Sequence, residues 1–314
     1  MKQFIHLFIF SIVPFMLKAQ SSSGLPFLDI APSALELALS EANTATPNGA
    51  SSIYKNPALL VMQNRPSISL NFTNWIQDSK NLSAGINLKK NKRAFAFAFY
   101  TAGVNDLEQR NKPGKSNGEF GIQYVAISGA YARDFNWVTA GIALSYLNED
   151  IFPYRSNGYA FNIGVATTLF EDKIRIGSSL INSGSMEKLN ERATNLPTSL
   201  NFGIAVDILQ FVHRKSPDLP ILATIMVDFV HPIEFLESNE MNSLSENSQH
   251  FNFGLKLLVS DVIEIRSGYK TENSSRPISF GLGLVTNKVT FNYAIIPFNT
   301  GFGTVHSVGL QYKL

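Results

Sequence analysis

The sequence predicts an all-β chain that closes into a single fourteen-stranded antiparallel transmembrane β-barrel, with a short helical and coil plug segment near its N-terminus. Three observations carry that prediction. Successive segments of about ten residues alternate large apolar with small or polar residues, the period-two signature of strands with two unlike faces. The second face is mostly Gly, Ala, Ser and Asn, where a sheet washed by water would carry Lys, Glu, Thr and Arg. The connections alternate short and long, as turns on one side of a membrane and loops on the other do.

Composition bounds the same answer. Charged residues are 16% of the chain, against about 25% in globular proteins, which suits an outer surface that need not face water. The 24 Phe and 10 Tyr would serve as interfacial girdles. A net charge of +2 without a dense Lys/Arg cluster argues against a nucleic-acid partner. With no cysteine there is neither a disulfide framework nor a lipidated N-terminal thiol.

Residues 1–19 read as a signal peptide for export to the outer membrane. Lys2 supplies the basic start, Phe4 to Met16 the apolar run, and Ala19 the small residue before cleavage. Interrupted by His6 and Pro14, that run is too short to span a bilayer comfortably. Residues 20–62 form the expected plug and residues 63–314 the barrel. Within the plug, Pro32 and Ser33 open a short helix with Ala34, Leu35, Leu37, Ala38 and Leu39 as its apolar body and Glu36 and Glu41 among them. Thr44 to Asn56 is turn-rich and closes on Asn56-Pro57, where proline disfavours helix for the residue before it.

The expected strands are 67–73, 81–90, 93–106, 119–135, 138–151, 156–170, 173–185, 198–209, 219–233, 248–259, 262–270, 278–286, 288–298 and 303–314. Alternation is clearest where Leu200, Phe202, Ile204, Val206 and Ile208 oppose Asn201, Gly203, Ala205 and Asp207. A β-sandwich would explain the apolar face alone. A lipid-facing barrel around a plugged lumen explains both faces. Long outer connections are expected at 75–80, 104–118, 149–156, 183–198, 231–248 and 271–277, with 210–218 an unusually long turn on the short side. An even strand count leaves both chain ends on the turn side, from which the plug is expected to enter.

The sequence carries little that points to catalysis or metal binding. The histidines His6, His213, His231, His250 and His306 are scattered without metal-ligand spacing. Pro113-Gly114-Lys115-Ser116 lacks the first glycine of a phosphate loop, and Ser185-Met186-Glu187-Lys188 lacks the companions of a Ser/Lys nucleophile. The reading is therefore non-enzymatic, with no cofactor and no metal. Arg175, Asp207, Asp228, Lys256, Glu264 and Arg266 fall on the lumen face. Charges in a lumen are costly unless paired or wet, so they are expected to pair with one another or with Glu36 and Glu41; a polar conduction path is the alternative.

One resemblance adds to this. The IxPSAxxxAL pattern of Ile30 to Leu39, the ANxAT run from Ala42 to Thr46 and SSIYxNPALL from Ser51 to Leu60 resemble the start of the PorV/PorQ group of outer-membrane proteins. That group belongs to the FadL-like superfamily and is associated with type IX secretion. GEFGIQYVAISGAYARDF at Gly118 to Phe135, NLPTSLNFGIAVDI at Asn195 to Ile208 and VDFVHP at Val227 to Pro232 continue it in order. The resemblance implies a plug motif at Asn56, Pro57 and Ala58. It also implies an anchored component that meets secreted cargo, the type IX translocon or surface attachment proteins while bathed in outer-membrane lipid. The other function it leaves open is that of a FadL-like transporter, in which the segment bearing Asn56 gates hydrophobic small molecules.

Overall fold

The computed structural model describes residues 25–110, 112, 114, 116–190, 192–213, 216–233, 248–299 and 301–314. The expected signal peptide, and residues 234–247 of the long connection expected at 231–248, lie outside the described residues. The strands are β1 (Ser67–Asn74), β2 (Lys80–Lys90), β3 (Arg93–Gln109), β4 (Gly118–Asp134), β5 (Thr139–Ile151), β6 (Tyr154–Leu169) and β7 (Ile174–Met186). After a two-residue ribbon of β8 (Lys188–Leu189) and β9 (Arg192–Ala193) come β10 (Ser199–His213), β11 (Ser216–Pro232) and β12 (His250–Val259). The series ends with β13 (Ile263–Lys270), β14 (Ile278–Val285), β15 (Val289–Pro297) and β16 (Thr304–Lys313). Apart from the ribbon, the strands form one closed antiparallel barrel in which β1 pairs with β16. All fourteen expected strands are present.

Strand β1 shows why the ladder closes as it does. Ser67, Ser69, Asn71 and Thr73 point inward and are buried, while Ile68, Leu70 and Phe72 point outward and are 45%, 50% and 42% exposed. The same outward series continues with Phe95 and Phe97, Ile142 and Leu144, Phe251 and Phe253, and Leu282 and Leu284. Leaving each such side chain in water would forgo about 1.5–3 kcal/mol, so this band is stable only against hydrocarbon. No helix among the described residues is long and apolar enough to cross a membrane; the strands do the crossing.

Three expected connections are shorter than the alternation suggested. β3 and β4 stay paired out to Gln109 and Gly118, β5 and β6 to Ile151 and Tyr154, and β10 and β11 to His213 and Ser216. Outside the hydrocarbon band neither face of a hairpin has to be apolar. The period-two pattern fades there while backbone pairing continues.

The plug fills the middle of the lumen. Helix α1 (Ala34–Ala38) is capped by the Ser33 hydroxyl, which accepts from the Glu36 amide. It ends through Ser40 and Glu41 in left-handed conformation, φ 48° and 67°, with the Glu41 N–H donating back to Glu36 O at 2.9 Å. The turn-rich half contains a second short helix, α2 (Ser52–Lys55), followed by Asn56 and a 3-10 turn, Pro57–Val61.

The expected direction of plug entry needs correction. The first described residues, Leu25 and Phe27, lie toward the loop end, packed with Ala102, Leu147 and Met186. Phe27 stacks on Tyr124 at 5.4 Å and leans on Tyr100 at 5.2 Å. The chain therefore runs down the lumen from the loop end before β1 begins at the turn end. Strand parity fixes where β1 starts, but the apolar side chains ahead of Ala34 decide where the plug begins.

Candidate functional site

The plug is mostly irregular backbone, and buried N–H and C=O groups must find partners somewhere. The wall supplies them. Ser83 donates to Pro32 O at 2.8 Å, Tyr100 to Ile30 O at 3.1 Å, Asn162 to Ile53 O at 2.8 Å, Ser179 to Lys55 O at 2.6 Å and Asn87 to Leu60 O at 3.0 Å. Ser279 accepts from the Ser40 amide at 3.0 Å. The Asn and Ser of the inner face are thus hydrogen-bonding sockets for a coil.

Inward glycines admit that coil. Gly141 opposes Gly164 across β5 and β6, and Gly177 opposes Gly203 across β7 and β10. Here the Asn56 motif docks. A Cβ on Gly164 would sit 2.0 Å from Asn56 Oδ1, one on Gly141 2.5 Å from the Pro57 carbonyl carbon, and one on Gly177 2.2 Å from Thr44 O. A second patch, Gly254, Gly268 and Gly281, receives Ala38, Leu39, Ser40 and Ala42 at the end of α1.

Asn56 is fully buried and each side-chain polar atom is used. Its Nδ2 donates to Thr44 O at 2.9 Å and to Val165 O of the wall at 3.2 Å, while its Oδ1 accepts from the Ala58 amide at 3.1 Å. Pro57 starts the following turn, where it lacks an N–H that would otherwise go unpaired. Ala58 is buried beside Leu59 and Ala166.

The lumen charges fall into two levels. Toward the loop end, Asp228 accepts from the Thr44 amide at 2.8 Å and hydroxyl at 2.6 Å, with Lys55 Nζ at 3.9 Å. Glu41 pairs with Lys270 at 3.0 Å and Arg276 at 3.1 Å. Burial alone would raise Glu41, but these two cations outweigh it and hold the carboxyl far below the usual range. Glu36 accepts from Asn43 Nδ2 at 2.8 Å rather than joining an ion pair, and burial pushes its carboxyl up to about 7. Toward the turn end, Arg175 grips Asp207 through two bonds of 2.8 and 3.0 Å, and Arg266 pairs with Glu264 two residues away. Lys256 joins neither pair and faces two cavities.

Lys270 and Arg276, the cations that hold Glu41, were not among the residues singled out from sequence. Parity would have found Lys270, which follows the inward Arg266 and Gly268 at even spacing. Arg276, in a loop, gave no such signal.

The plug divides the free space. At the turn end are cavities of about 600 and 830 Å³ bordered by Thr46, Pro47 and Met62. At the loop end is one of about 420 Å³ with an apolar side made by Leu28, Ile30, Trp75, Ile181, Leu196 and Phe298. Its floor is formed by Glu36, Glu41, Asn43, Tyr54 and Lys55 of the plug. Arg276 stacks over the Trp75 ring at 5.2 Å and so ties the cavity rim to Glu41. On the lipid side, outside the glycine patch at Gly177 and Gly203, lies an apolar dent of about 370 Å³ lined by Val165, Ile176, Phe202 and Phe251.

Neither a family model nor a curated protein matches the chain. Solved structures do resemble it. The CymD monoaromatic hydrocarbon channel superposes with a TM-score of 0.57 at 11% identity, covering 91% of this chain and 98% of that one. The P. putida toluene transporter TodX gives 0.52 at 10% identity over 88% of this chain and 98% of its own. At such identities the likeness concerns the fold alone, that of a closed antiparallel β-barrel.

Proposed function

We propose that this barrel takes small hydrophobic molecules from outside the cell, captures them in the cavity at the loop end, and passes them on when the Asn56 segment moves. The observation that supports it best is the cavity itself. Its volume of about 420 Å³ falls in the range of about 300–1,000 Å³ typical of small-molecule sites. An apolar wall there stands directly over a plug whose gate residues reach the barrel wall. Asn56 and Pro57 press on Gly164 and Gly141, so a shift of this segment opens space beside the strands that border the lipid-facing dent. The two solved neighbours, described as a monoaromatic hydrocarbon channel and a toluene transporter, fit this reading. No step requires catalysis.

A second reading is favoured by a different observation. The plug is held by glycine docking, side-chain sockets and buried ion pairs, which suits a sealed anchor. In that reading the barrel serves type IX secretion of the PorV/PorQ kind, and its outer surface holds cargo, translocon or attachment proteins.

Purification of a tagged copy from outer membranes in mild detergent, followed by mass spectrometry of what travels with it, separates the two. A barrel recovered alone with small hydrophobic molecules supports uptake. Stoichiometric recovery of a large translocon or exported cargo, without such molecules, overturns it in favour of secretion.

A further inference from the structure

One buried side chain of the loop-end cavity stands apart from those that hold the plug. Asn252, on β12, is completely buried and lines the cavity, yet neither its Oδ1 nor its Nδ2 has a hydrogen-bond partner among the described residues. Its neighbours across the sheet are Asp228 on β11 and Lys270 on β13. Both are committed to the plug, Asp228 to Thr44 and Lys270 to Glu41. Of three inward side chains in one row, two hold the plug and the third holds nothing. A buried carboxamide without a partner is unfavourable, and a molecule that supplies one donor and one acceptor relieves it.

The surrounding charges indicate what kind of head that molecule carries. Lys55 lies beside Asp228 and donates to Asn201 Oδ1 at 3.3 Å, while Lys270 and Arg276 share Glu41. Asp29 and Glu272 add further carboxylates to the lining. Among the described lining residues no cation is left in excess for a carboxylate or phosphate ligand, which would meet acidic groups on the floor and rim. A bare hydrocarbon, for its part, leaves Asn252 as unsatisfied as before.

We propose that Asn252 anchors the polar head of the molecule this cavity takes, and that this head is uncharged and hydrogen-bonding, such as an alcohol, phenol or carboxamide, on an apolar body. The inference rests on the uptake reading of the cavity and narrows it from hydrophobic molecules in general to those with one neutral donor-acceptor group. The body lies against Leu28, Ile30, Ile181 and Leu196, and the head points toward the plug.

The test uses the full barrel in lipid nanodiscs, so that detergent does not compete. The chain has 2 Trp, and Trp137→Phe leaves Trp75, on the cavity rim, as the sole reporter. Toluene, benzyl alcohol and benzoate share a ring and differ in the head, and each is titrated against Trp75 emission. Benzyl alcohol is expected to bind about tenfold more tightly than toluene or benzoate, the size of one buried hydrogen bond. Asn252→Leu should reduce benzyl alcohol to the level of toluene without weakening toluene. Asn252→Ser serves as the second variant should the leucine chain fail to give a heat-modifiable, folded barrel, and it should lose most of the preference. Equal binding of toluene and benzyl alcohol, or a preference unchanged in both variants, overturns the anchor while leaving the uptake reading standing. Benzoate binding most tightly overturns the neutral head. No change in Trp75 emission with any of the three removes the uptake reading and the anchor together.

Discussion

Asn56→Asp is the most informative single change to the plug, because it keeps the shape of the side chain and inverts one half of its chemistry. Oδ1 can still accept from the Ala58 amide, but the atom replacing Nδ2 now faces Thr44 O and Val165 O as one acceptor against two others. Each carbonyl left unpaired in the interior costs about 1–3 kcal/mol. Taking about 3 kcal/mol for the two together moves the balance between docked and undocked plug by roughly 150-fold. Burial also raises the new carboxyl's pKa, and a protonated carboxyl can donate one of the two lost bonds. Docking is then favoured below the carboxyl's ordinary pKa and lost as the pH rises through its raised value. Single-channel recordings in planar bilayers, with protease protection of residues 25–62 in parallel, should show a closed parent. The variant should open often at pH 8 and less often at pH 5. A variant as closed and as protected as the parent at pH 8 would refute the view that Asn56 latches the plug to β6.

Three further changes test other parts of the same joint. Gly164→Ala places a methyl 2.0 Å from Asn56 Oδ1 and should loosen the plug by about 1–3 kcal/mol. In a double-mutant cycle with Asn56→Ala the two effects should fall well short of adding, while Gly129→Ala, whose nearest neighbour is 3.7 Å away, should be silent. Glu41→Gln strands Lys270 and Arg276, which are 12% and 13% exposed. It should cost about 3–5 kcal/mol in plug protection by protease assay, with recovery when both cations are also replaced by Met. Glu36, raised by burial from 4.5 to about 7, favours the docked plug fully below pH about 4.5 and loses that contribution as the pH rises to about 7. Glu36→Gln should therefore be neutral at pH 4 and stabilise docking at pH 8 by up to about 3 kcal/mol, read by the same protease assay.

The barrel was legible because membrane strands carry two faces with opposite demands. Ile68, Leu70 and Phe72 had to meet lipid, and Ser67, Ser69 and Asn71 had to meet something polar and close. What the inner face was for could be seen only in three dimensions. Gly141, Gly164, Gly177 and Gly203 read as small residues in four separate strands, and only strand register brings them together under Thr44, Asn56 and Pro57. The charges show the same limit. Arg175 and Asp207 lie 32 positions apart and meet on adjacent strands, yet nothing in their local sequence distinguishes them from Lys256, which makes no salt bridge among the described residues. Asn252 was passed over because an inward Asn in a strand is ordinary, and its lack of a partner is a property of its surroundings.

The course of the N-terminal segment constrains how such a molecule is put together. Leu25 and Phe27 sit near the loop end while β1 starts at the turn end, so the chain traverses the lumen before the first strand begins. β1 is also the strand that completes the seam, with β16. A barrel sealed first and filled afterwards would have to draw Phe27 past the residues that pack against Ala38, Thr44 and Asn56. Threading and closure are therefore coupled: the wall is wrapped around a strand of chain already in place, and an assembly factor that delays the β1–β16 seam would give that thread time to seat.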